Sequence, residues 1–93
     1  MKILTVCGSG LGSSFMLEMN INSILAELGV TNVEVNHSDV SSATSDMADL
    51  FIVAKDIAES VEPLGDVLVL NSIIDMDELR EKLTADLTQR AIL

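Results

Sequence analysis

Apolar and polar positions recur along this chain in two rhythms. Lys2 to Val6 is a short, nearly continuous apolar run, which predicts a strand covered on both faces, as in a parallel sheet. Leu17, Ile21, Ile24, Leu25 and Leu28 then recur at spacings of three and four. That spacing predicts a helix over 13–28 with one core stripe, stopped by Gly29. Val33 and Val35 alternate with polar neighbours and predict a second strand at 32–36. The serine-rich stretch 38–46 reads as a loop. Leu50-Phe51-Ile52-Val53 predicts a third strand within 49–54, and 55–60 a short helix ended by the approach to Pro63. Gly65 turns the chain into a fourth strand at 66–70. Asp75, with Glu78 three residues on, has the form of a helix cap and capping box. Met76, Leu79, Leu83 and Leu87 mark the inner face of a last helix reaching about Arg90.

Strands alternating with helices predict an α/β fold with a parallel sheet covered on both sides, a three-layer sandwich. Right-handed crossovers leave few orders for four strands. The flavodoxin-like order 2-1-3-4 is the expectation, in one domain spanning 1–93. Its crevice lies beyond the carboxyl ends of the first and third strands. The segment after Val6, Lys55-Asp56 and His37-Ser38-Asp39 should therefore share one end of the sheet.

Composition narrows the function classes. Aromatic residues make up 2% of a chain that is 48% hydrophobic, so the core must be aliphatic. The formal charge of −10 opposes binding to nucleic acid or anionic lipid and favours protein partners with basic patches. No apolar run approaches the roughly 18 residues of a membrane span. Met1-Lys2-Ile3 leads straight into a strand, without the pattern of a secretory signal. One cysteine and one histidine do not make a disulfide or an ordinary structural zinc site. A cytoplasmic protein without metal or bound cofactor is expected.

The candidate chemistry sits in Cys7-Gly8-Ser9-Gly10-Leu11-Gly12-Ser13-Ser14, between the first strand and the first helix. Successive amides in a glycine-rich turn, with the free N–H groups of the helix that follows, form an anion-binding concavity. The same dipoles favour a thiolate on Cys7. A nucleophile held against a phosphate site is the reading. Lys55 could add one positive charge, and His37 could steady the loop or meet a partner. Phe15, Met16 and Met19 lie off the core stripe and could form a docking patch with Leu11, or pack against a neighbouring element.

Other motifs fit less well. A P-loop needs Gly-Lys-Ser/Thr, and residues 3–54 contain no lysine. The dinucleotide fingerprint fits Gly8 and Gly10, but Ser13 stands at its third glycine. A cysteine phosphatase or arsenate reductase carries Cys-x-x-x-x-x-Arg, with the arginine clamping phosphate; here that position is Ser13. A non-catalytic anion- or cofactor-binding module also stays open.

Residues 3–6 followed by Cys7 to Met16 resemble the phosphorylation-site loop of IIB components of the bacterial sugar phosphotransferase system. The best match is the ascorbate-type branch, with the galactitol branch similar in architecture. The likeness extends to Gly29, His37-Ser38-Asp39 and Lys55-Asp56-Ile57-Ala58. It implies an enzyme, a phosphotransferase in which Cys7 takes a phosphoryl group from a histidine of the IIA component. The group then passes to a sugar, ascorbate on this likeness, carried in by the membrane-embedded IIC transporter. It further implies a free-standing IIB, held at the inner face of the membrane through that transporter.

Overall fold

The computed structural model describes residues 1–8 and 13–93, the Ser13 side chain excepted. Four parallel strands, β1 (Lys2–Cys7), β2 (Glu34–Asp39), β3 (Leu50–Ala54) and β4 (Val67–Leu70), form one sheet in the order β2-β1-β3-β4. The helices are α1 (Ser13–Leu28), α2 (Ala58–Val61) and α3 (Met76–Gln89), with 3-10 turns at Ser45–Met47 and Glu62–Leu64. The flavodoxin-like architecture is the expected one.

Alternation along the strands divides the core into two layers. Ile3, Leu50, Ile52, Leu68 and Leu70 face α1 and α3. Leu4, Val6, Phe51 and Val53 face the other way, against Ala58 and Val61 of α2. The first layer receives the predicted helix stripes: Leu17, Ile21, Ile24 and Leu25 from α1, and Leu79, Leu83 and Leu87 from α3, all buried. Each such burial contributes about 1.5–3 kcal/mol, which is how an aliphatic core holds a sheet this small. Gly29 ends α1 at φ 73, while the Val30 N–H reaches back to the Leu25 carbonyl at 2.9 Å. That closure needs the left-handed region glycine enters freely.

β1 ends one residue later and β4 starts one residue later than the sequence reading, and three larger differences each have a physical reason. β2 runs Glu34–Asp39 instead of 32–36, because its ladder follows β1 residue by residue, from Lys2 against Glu34 to Cys7 against Asp39. Polar Asn36, His37 and Ser38 are compatible with a strand here because β2 is at the sheet edge and mostly open to solvent. Lys55 to Ile57 form a turn, and the helix begins only at Ala58. Pro63 does not end the helical path: it sits in the first positions of a 3-10 turn, where its missing N–H costs nothing.

The capping box at α3 is only half built. The Asp75 carboxylate accepts from the Glu78 N–H at 3.0 Å, as expected. Glu78 does not return the bond to Asp75. Its carboxylate accepts instead from the Asn71 N–H (2.9 and 3.1 Å) and the Ser72 N–H (3.1 Å), and from Lys82 Nζ at 2.8 Å. The Lys82 bond first, then those backbone donors, hold its pKa down at about 2 from the ordinary 4.5. A depressed folded pKa stabilises fully above the unfolded value, and this is lost as pH falls from about 4.5 towards 2. Urea midpoints should therefore drop more steeply over that window in the wild type than in Glu78→Gln. Parallel curves would remove Glu78 from the acid response.

Candidate functional site

Cys7 is the last residue of β1, in register with Asp39, and 7% exposed. Its carbonyl accepts from the Val40 N–H at 2.9 Å, which carries the β1–β2 ladder to the sheet end. A cavity of about 370 Å³ opens there. Cys7 lines it from β1 and Gly8 from just beyond that strand, Ser14 and Leu17 from α1, Asp56 and Ile57 from the turn after β3, and Ile73 from the β4–α3 loop. A Cβ placed on Gly8 would meet Ile57 Cγ2 at 3.4 Å, so the exits of β1 and β3 nearly touch. The cavity thus lies where the strand order reverses, beyond the carboxyl ends of β1 and β3.

Ser14 lies in the first turn of α1, so the amino end of that helix opens on the cavity. First-turn amides have no intrahelical acceptor, and no acidic residue in that turn opposes the dipole. An anion beside Cys7 would meet those donors. Among the expected phosphate-binding residues, Gly8 and Ser14 line the cavity. Ser9, Gly10, Leu11, Gly12 and the Ser13 side chain lie outside the described residues.

A residue the sequence reading passed over fixes the helix against the strand. Thr5 is fully buried, and its Oγ1 donates to the Ser14 carbonyl at 2.7 Å. One hydroxyl thereby ties β1 to the first turn of α1, two residues before the cysteine. A polar residue inside an otherwise apolar strand was the available signal. Thr5→Val keeps the shape and deletes the donor, with an expected loss of about 1 kcal/mol in urea unfolding. An unchanged midpoint would show that the bond contributes nothing.

His37 and Lys55 are placed less centrally. His37 projects from the β2 edge onto α1, its Nδ1 3.3 Å from Glu18 Oε1 and its ring edge-on to Phe15 at 5.3 Å. Lys55 is exposed; its backbone N–H extends the ladder to the Leu70 carbonyl at 3.0 Å. Neither lines the cavity, and Asp56 is the charged residue that does among those described. Phe15, Met16 and Met19 are 49%, 42% and 54% exposed, so they are surface and not core.

A second cavity, of about 390 Å³, opens at the opposite end of the sheet beside Leu50 and Val67. Its Arg90 is held by Asp86 at 2.7 Å and Asp66 at 3.0 Å, and it contains no nucleophile. The cysteine lines the cavity at the other end. No group of three or more metal-ligating side chains is assembled among the described residues.

The lactose-specific IIB component domain of the phosphoenolpyruvate:carbohydrate phosphotransferase system from Streptococcus pneumoniae has a similar structure. Its TM-score is 0.60 at 24% identity, over 95% of each chain. A low molecular weight protein tyrosine phosphatase from Bacillus subtilis is also similar, with TM-score 0.66 at 19% identity, over 96% of this chain and 98% of that one. At such identities both describe the fold. No curated protein sequence matches the chain. The family model described as "PTS system, Lactose/Cellobiose specific IIB subunit" matches residues 2–85. The expected ascorbate-type branch is thereby corrected: the matching branch is a different one. A match spanning residues 2–85 places the chain in the lactose/cellobiose-specific IIB subunit family of the phosphotransferase system, whose members transfer phosphoryl groups in sugar uptake.

Proposed function

We propose that Cys7 is the phosphoryl carrier. The observation that carries this reading is the position of Cys7 in a cavity at the carboxyl end of β1, under the amino end of α1. The Cys7 thiolate attacks the phosphorus of a IIA phosphohistidine in line; the S–P bond forms as the N–P bond breaks, and the imidazole leaves. First-turn amides of α1 and those of residues 8–14 receive the equatorial oxygens. A hydroxyl of the incoming sugar then attacks the same phosphorus, the S–P bond breaks, and the thiol is restored as the hydroxyl proton is released.

Ser13 in place of the arginine clamp suits a carrier, because a less tightly held group leaves more readily for the next acceptor. Lys55 and His37 lie outside the described cavity lining. Among the described residues no helix is long and apolar enough to cross a membrane. We place the protein in the cytoplasm, brought to the membrane by the IIC transporter. Exposed Phe15, Met16 and Met19, one helical turn from the site, are the surface offered to IIA and IIC in turn.

The test is incubation with phosphoenolpyruvate and the upstream phosphotransfer proteins. One phosphoryl group should be gained by mass, and lost on addition of the transporter and its sugar. Release of inorganic phosphate at the same rate without the transporter would favour the phosphatase reading.

A further inference from the structure

The Glu78 network ends on the cysteine cavity. Residues 71–75 connect β4 to α3, and Ile73 within them is half-buried against the α1–α3 core and lines the cavity. Both sides of Ile73 are pinned. Before it, the Asn71 and Ser72 N–H groups and Asn71 Nδ2 donate to the Glu78 carboxylate. Lys82 Nζ bridges that carboxylate, at 2.8 Å, to the Val69 carbonyl at 2.7 Å. After it, the Asp75 N–H donates to the Ser72 carbonyl at 3.3 Å, and the Asp75 side chain caps the Glu78 N–H. The Glu78 side chain is 12% exposed, and its bonds to Ser72 and Lys82 are partly buried. A helix anchor alone would not need two backbone donors from the connection that follows β4. What these bonds fix is the path of 71–73, and with it one apolar wall beside Cys7.

We propose that Glu78 is a positioning residue for the cysteine site, holding Ile73 as the wall that keeps water from a loaded Cys7. This rests on the reading of Cys7 as phosphoryl carrier. The reaction it suppresses is hydrolysis: a water oxygen attacks phosphorus, the S–P bond breaks, and the products are the Cys7 thiol and monohydrogen phosphate. A carrier must outlast that reaction until its acceptor arrives.

Two readouts on the full chain test this. One is the alkylation rate of unloaded Cys7 by iodoacetamide; the other is the lifetime of the phosphorylated protein in buffer. Ile73→Ala and Glu78→Ala should each speed alkylation on the order of tenfold, with an unchanged pH dependence, since the wall controls access and not the thiol. The double variant should be no faster than Ile73→Ala alone, because both changes open one wall. Phosphoprotein lifetimes should shorten in the same order. Glu78→Gln retains one acceptor oxygen and should fall between wild type and Glu78→Ala, which covers the case where the alanine variant folds poorly. Multiplying effects in the double variant, or a lowered melting temperature in Glu78→Gln with unchanged alkylation, would reduce Glu78 to a helix anchor. If the wild type never acquires a phosphoryl group, the carrier reading and the water barrier fall together. The alkylation arm would still decide whether Glu78 controls access to Cys7.

Discussion

Cys7→Ser is expected to fold and to accept no phosphoryl group. On the carrier reading the nucleophile is a thiolate, and a serine hydroxyl, which stays protonated at neutral pH, does not replace it. Position 7 is 7% exposed, so the added polarity should cost about 1–3 kcal/mol of stability. That loss leaves the sheet order unchanged, because Cys7 is the last residue of its strand. Circular dichroism should match the wild type while the donor component transfers nothing. A variant that still gained a phosphoryl group would move the acceptor to another side chain.

Phe15→Ser and Met16→Ser should each slow transfer from the donor and transfer to the transporter alike. A carrier presents one atom to two partners, so their footprints overlap around it. Methionine side chains adapt to more than one surface. Truncating an apolar anchor at an interface centre costs about 2 kcal/mol or more, roughly thirtyfold in affinity. Stability should change by no more than about 0.5 kcal/mol, since both residues are surface. Met16→Ser is the cleaner variant, because Phe15 also touches the His37 ring. The rate of Cys7 alkylation should be unaltered in both. With a formal charge of −10, encounter with basic partner patches should slow as salt rises. Wild-type transfer rates, or alkylation falling in step with transfer, would make the patch a support for the loop.

Periodicity was enough for the sheet order and both long helices, because each signal repeats over many residues. Leu17 to Leu28 and Met76 to Leu87 point to one layer however the ends are drawn. Edges were less legible. The reach of β2 to Asp39 is set by pairing with β1, and nothing in Asn36-His37-Ser38 announces a strand. The placement of Cys7 and Ser14 at one cavity was legible, since a strand, a glycine loop and a helix leave few geometries. The roles of Thr5 and Glu78 were not. Each acts on a segment distant in sequence or bonded through backbone atoms, and residue type alone does not reveal an acceptor. Branch identity was misread: the likeness rested on residues 3–16 and a few short stretches after them, whereas the family match runs over 2–85.

Localising the phosphoryl group tests the central claim most directly. Trypsin is unsuitable: residues 3–54 contain no lysine or arginine, so one peptide would hold Cys7, His37 and every loop serine. Cleavage after glutamate at Glu18 separates Cys7 from His37. After loading from phosphoenolpyruvate, the peptide ending at Glu18 should carry one phosphoryl group and resist alkylation until the group is discharged. A phosphoryl group on the peptide containing His37, or a loaded Glu18 peptide whose cysteine still alkylates freely, would contradict the assignment of Cys7.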